Sequence, residues 1–150
     1  MNKRLKQGST FLLAVALTFP LLTLPGAKAA NAIDTDAECS IQFDIGGNSE
    51  LLNDNVTVQV NLYKVATVDV SGNYTATDAF TGLDLSSVSA DNLDTAAATW
   101  SERATEAKKL LKDDTEPTTT TLTQGRGTAT GLDTGLYLVD TPKGITPNYT

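Results

Sequence analysis

The sequence contains no histidine, one cysteine, one methionine and one tryptophan, and its 11 Lys and Arg are outnumbered by 18 Asp and Glu. Without imidazole there is no Ser-His-Asp triad, no Cys-His pair, no histidine zinc site and no histidine switch near neutral pH. A lone cysteine excludes an internal disulfide framework. A formal charge of −7 argues against nucleic acid, whose phosphates need clustered Lys and Arg. Beyond the N-terminal segment no apolar run reaches the roughly 18 residues a membrane span needs. What is present is an apolar fraction of 40% with only 19% charged residues in 150, which suits one globular domain.

The N-terminus reads as a secretory leader. Lys3, Arg4 and Lys6 precede an apolar run from Phe11 to Leu24, and Ala27-Lys28-Ala29 is a small-x-small cleavage site. Cleavage is expected between Ala29 and Ala30, with Ala30-Asn31-Ala32 as a second match. Removing residues 1–29 takes away four of the eleven basic residues and none of the eighteen acidic ones, so the charge moves from −7 to −11. Residues 30–150 are expected to form the exported domain.

Within that domain, Cys39, Ile41, Phe43 and Ile45 alternate with polar residues, the signature of a strand with one buried face. Gly46-Gly47-Asn48 ends it in a loop reaching Asn55. From 56 to 68 the alternation resumes, with Val56, Val58, Val60 and Leu62 on one face and Thr57, Gln59, Asn61 and Tyr63 on the other. A turn at 69–73 leads to a short strand over Tyr74–Phe80. Ala97, Trp100, Ala104, Ala107 and Leu111 recur at helical spacing, predicting an amphipathic helix between Asp94 and Leu111 that lays Trp100 on the sheet and is capped by Asp94 or Thr95. Threonine-rich segments on either side of Gly125-Arg126-Gly127 predict a hairpin, with a solvated or O-glycosylated linker as the alternative. Gly135-Leu136-Tyr137-Leu138-Val139 reads as a strand packed on both faces. The expected fold is mainly β: an immunoglobulin-like β-sandwich with one amphipathic helical insertion.

The run Gly127-Thr128-Ala129-Thr130-Gly131-Leu132-Asp133-Thr134-Gly135-Leu136-Tyr137-Leu138-Val139 resembles the closing part of B-type repeats of Gram-positive surface proteins, related to collagen-adhesin domains, and of pilin domains. Leu62-Tyr63-Lys64-Val65-Ala66 is similar to the second strand of the N-terminal domain of sortase-assembled pilin subunits, and the order of elements over residues 39–140 follows that domain. The resemblance implies a structural or adhesive subunit of a cell-surface pilus (fimbria) on the cell wall, with other pilin subunits and sortase as partners and a host or surface ligand. The pilin lysine motif and the Leu-Pro-x-Thr-Gly sorting signal are not found in the sequence, so a truncated subunit or first domain is the expectation.

The same resemblance implies an intramolecular Lys–Asn amide formed beside a buried carboxylate. Lys64 shares the inward parity of Leu62, which makes a bond from Lys64 to Asn148 or another Asn, aided by Asp44 or Asp140, one reading. The other is that Lys64 extends its amine into solvent. Cys39, by parity, is a buried small hydrophobe rather than a thioester or redox thiol. Asp113, Asp114 and Glu116 read as a solvated helix end rather than a calcium loop. No metal, cofactor or enzymatic activity is expected; a carboxylate glycosidase would need two acids across a cleft. The alternative function is a secreted carbohydrate- or protein-binding module unrelated to pili, with Tyr74, Tyr137 or Trp100 exposed along a groove.

Overall fold

The computed structural model describes residues 11–16, 32–45, 56–90 and 95–142. The two alternating segments form β2 (Glu38–Asp44) and β3 (Thr57–Val68). The Thr-rich segments form β5 (Thr118–Thr123) and β6 (Arg126–Asp133), and the continuous apolar run forms β7 (Gly135–Asp140). Two further strands, β1 (Phe11–Ala16) and β4 (Tyr74–Ala76), and one helix, α1 (Ala97–Leu110), complete the described elements of regular structure apart from one 3-10 turn.

All strand pairs are antiparallel, in the order β1-β7-β3-β5-β6-β2, with β4 also on β3. This path folds over on itself. β5 and β6 share the single rung Thr123↔Arg126, after which β6 leaves β5 and pairs with β2 from Glu38↔Asp133 to Asp44↔Arg126. Gln124 and Gly125, both at positive φ (54° and 75°), make the two-residue turn, one position earlier than the glycines suggested. Two layers result, β1-β7-β3-β5 and β6-β2. Between them lie Val56, Val58, Val60 and Leu62 of the β3 segment, Leu122 of β5, Tyr137 and Val139 of β7, and Cys39, Ala129 and Leu132 of the second layer. The protein is therefore mainly β, a sandwich-like fold with one helix.

That helix covers the outer face of the first layer. Ala104 and Ala107 are buried, and Trp100, Leu110 and Leu111 pack against Tyr63, Val65, Phe80, Leu136 and Leu138. β7 is consequently buried along its whole length: Tyr137 and Val139 face the sandwich core, Leu136 and Leu138 the helix. Trp100 meets Tyr74 edge-on, with ring centroids 6.5 Å apart.

Three expectations need adjustment. The strand expected over 74–80 stops at Ala76. Thr77 turns its N–H to the Val65 carbonyl (2.8 Å) and its hydroxyl to the Lys64 carbonyl (2.9 Å), and Asp78–Phe80 then coils into a 3-10 turn that drops Phe80 into the core at 1% exposure. The helix starts later than the capping residues implied: Ala96 holds the N-cap position without a side-chain cap bond, and Asp94 lies outside the described residues. Finally, Phe11–Ala16, part of the expected leader, pairs with β7 in the uncleaved chain.

Candidate functional site

Lys64 lies where the β3–β7 register slips. Lys64 pairs with Tyr137 in step with Leu62 and Val139, so it keeps the sandwich-side parity, and the pairing slips only beyond it, before Ala66, where both Val65 and Ala66 turn to the helix side. The lysine stem lies over Gly135 and its Nζ reaches Asp133 Oδ2 at 3.5 Å. Asp133 is 86% exposed, so this pair is screened and weak. The Lys64 amine thus meets an exposed carboxylate.

The two carboxylates grouped with Lys64 are held elsewhere, Asp140 by Lys108. Asp44 sits at the far end of β2, its Oδ2 3.3 Å from Arg126 Nε, whereas the Glu38 end of β2 is the one beside Asp133. Asn148, and Ala29 and Ala30 of the cleavage site, lie outside the described residues. Cys39 is 4% exposed, with Sγ 3.6 Å from both the Ala37 carbonyl and Thr134 Oγ1, as its parity implied. Asp113 and Asp114 are exposed in the turn after α1.

A lysine, a buried carboxylate and a buried asparagine come together elsewhere. Asp140, at the end of β7, is directly opposite Asn61 of β3 on the face that α1 covers. Its Oδ2 accepts a 2.5 Å hydrogen bond from Lys108 Nζ, while Oδ1 is buried with no partner among the described residues. The Asp140 side chain is 4% exposed and that of Lys108 31%. Asn61 Oδ1 accepts from Gln59 Nε2 and Thr119 Oγ1, both at 3.1 Å, and its Nδ2 donates to Tyr63 Oη at 3.4 Å. A shallow polar cavity of about 340 Å³ opens over this cluster, lined by Tyr63, Lys108, Lys112, Thr115 and Asp140 among others. Two sequence signals point here: Asp140 is a candidate carboxylate, and Lys108 continues the i, i+4 series Trp100, Ala104 along the buried side of α1.

The cluster clamps the C-terminal part of α1 to the middle of the sheet. Both atoms of the Asn61 carboxamide are engaged by other side chains and the Lys108 amine is held by Asp140, so the clamp is non-covalent. Mass spectrometry of the intact protein should return the mass of its sequence. A mass lower by one ammonia would show a Lys108–Asn61 amide instead.

The aromatic side chains proposed for a binding groove are largely withdrawn. Tyr137 is 4% exposed and donates from Oη to the Asp133 carbonyl at 2.8 Å. Tyr74 and Trp100 are half-buried against one another, with Tyr74 Oη buried and without a hydrogen-bond partner among the described residues. Burial pushes the Tyr74 phenol up to about 12, and burial followed by the nearby Asp133 charge does the same to Tyr137. The unfolded chain releases these protons near 10 while the native state keeps them to about 12, so stability should fall as pH rises through that window. Urea midpoints measured against pH, alongside tyrosinate absorbance, will read it, and Tyr74→Phe should flatten the decline. No helix among the described residues is long and apolar enough to cross a membrane. No family model, curated protein or solved structure matches the chain.

Proposed function

We propose that this domain is a structural and adhesive module of a Gram-positive cell-surface pilus, exported by its leader and joined to other pilin subunits by sortase. The observation that carries the reading is strand polarity. β3 runs opposite to β5 and β7, β6 opposite to β5, and β2 opposite to β6, so β2 and β7 run the same way. The chain therefore enters the sandwich at one end, at Glu38, and leaves it from β7 at the other, beyond Asp140. Tension drawn along a fibre through these two points runs parallel to the strands. Antiparallel ladder bonds lie across the strands, so such tension strains many of them in shear at once instead of opening them singly. Resemblance of the 127–139 and 62–66 segments to pilin domains points the same way.

Single-molecule pulling tests the reading. Tethers at Ala32 and Pro142 load the sandwich end to end, whereas tethers at Ala32 and Val70 sit at the same end, where Ile33 N–H bonds the Val70 carbonyl at 3.1 Å. The first geometry should require several-fold more force than the second, because forced unfolding reports the barrier along the loaded direction. Equal forces would remove the mechanical reading.

A further inference from the structure

β7 has the composition of a central strand. Leu136, Tyr137, Leu138 and Val139 follow one another with no charge, proline or bulge to discourage pairing, and Leu136 and Leu138 are fully buried. The opposite margin of the sheet shows the usual protections: β2 exposes Glu38, Ser40, Gln42 and Asp44 and carries a register shift between Cys39 and Ile41. One edge of β7 is taken by β3. The other is taken by β1, in six consecutive pairs from Phe11↔Asp140 to Ala16↔Gly135. β1 also lies against α1 and approaches β2, so it fills a slot rather than a bare edge.

Phe11–Ala16 falls inside the apolar run of the leader. Cleavage after Ala29 takes the strand away, and every second residue of β7 then presents an unpaired N–H and C=O beside an uncovered apolar flank. We infer that the slot beside β7, held in the precursor by Phe11–Ala16, is in the exported protein an acceptor for an extended, uncharged apolar segment of another polypeptide, which adds antiparallel to β7. The occupant's chemistry is set by what the slot already holds: six residues with no charge, proline or glycine, running Phe-Leu-Leu-Ala-Val-Ala. Backbone bonds to β7 supply the affinity in this mode of recognition. The inference rests on leader removal and not on the pilus reading.

The test starts from the full chain carrying a specific protease site within residues 20–30. The folded protein is cut, freed of its leader fragment, and offered a labelled peptide of the Phe11–Ala16 sequence flanked by lysines. The cut protein should take up the peptide and the uncut protein should not. Methylating alternate backbone amides of the peptide, which keeps its side chains, should weaken uptake by about tenfold or more. Hydrogen exchange at Leu136–Val139 should speed up on leader removal and slow again with peptide. Self-association of the cut chain with renewed protection of β7 also supports the inference, with a second copy as donor. If the cut chain unfolds, refolding only when peptide is added supports it, and failure to refold with peptide overturns it. A cut protein that stays monomeric, keeps β7 protected and refuses the peptide overturns it as well, since the chain's own residues then close the slot. So does an exported protein whose N-terminal sequence still begins at Met1.

Discussion

Replacing Lys108 with methionine should lower the unfolding free energy by about 2–3 kcal/mol, read as a shift of the urea midpoint at unchanged slope. The Asp140 carboxylate is 4% exposed, one of its oxygens already lacks a partner, and Lys108 supplies the bond to the other. Methionine fills much of the lysine stem's volume but leaves a negative charge beneath α1 with nothing opposite it. The reverse substitution, Asp140→Leu, should cost less, because the Lys108 side chain is already 31% exposed and can carry its amine outward. The double variant should lie above Lys108→Met alone, since no charge is then stranded. If Lys108→Met and Asp140→Leu prove equally damaging, the asymmetry argued from burial is wrong. If neither moves the midpoint, Asp140 finds compensation outside the described residues.

Gly135→Ala should destabilise by about 3 kcal/mol, the upper range for forcing extra volume into a packed site. A Cβ at Gly135 would stand 2.5 Å from the Ala66 carbonyl oxygen and 2.9 Å from Lys64 Cε. Lys64 can swing aside, but the Ala66 oxygen is backbone, fixed where the β3–β7 register slips. Gly82→Ala is the internal comparison. There the added methyl meets no atom within 4 Å, and only the φ of +98° opposes it, so a cost of about 1 kcal/mol is expected. A thermal or urea series in which the two alanines cost the same would show that steric contact at Gly135 is relieved by backbone movement.

The buried faces of β2 and of the first half of β3, the two-sided burial of β7 and the side of α1 that meets the sheet all follow from residue spacing, because each is a local periodicity set against one covering layer. Position 64 shows where that logic stops. Parity counted from Val56 places Lys64 on the sandwich side, opposite Tyr137, but it does not show that the stem crosses Gly135 to the exposed Asp133, nor that the register slips one step later. The short strand at 74 misled for a related reason: its β-favouring residues continue to Phe80, yet the Thr77 bonds to the β3 carbonyls end the pairing. Asp140, Asn61 and Lys108 are remote from one another in the chain, and no spacing joins them. Only the antiparallel register of β3 with β7 and the seat of α1 unite them. The resemblance to pilin domains implies Asp140 as a carboxylate beside Lys64, whereas the lysine it holds is Lys108.

The fold-over at Thr123↔Arg126 has a consequence for how the chain acquires its shape under the proposed export. On that reading β2 is the first strand after the leader to emerge, but its partner β6 and the β7 partner of β3 both belong to the final third of the chain. Emerging from the N-terminus, β2 must remain unpaired until residues 126–133 arrive, and closing so long a loop is entropically slow. Completion of the domain is thus timed by the arrival of β6 and β7, not of β2, and the interval before it is when an unpaired Cys-Ser-Ile-Gln-Phe segment is most exposed to chaperones and to wrong partners.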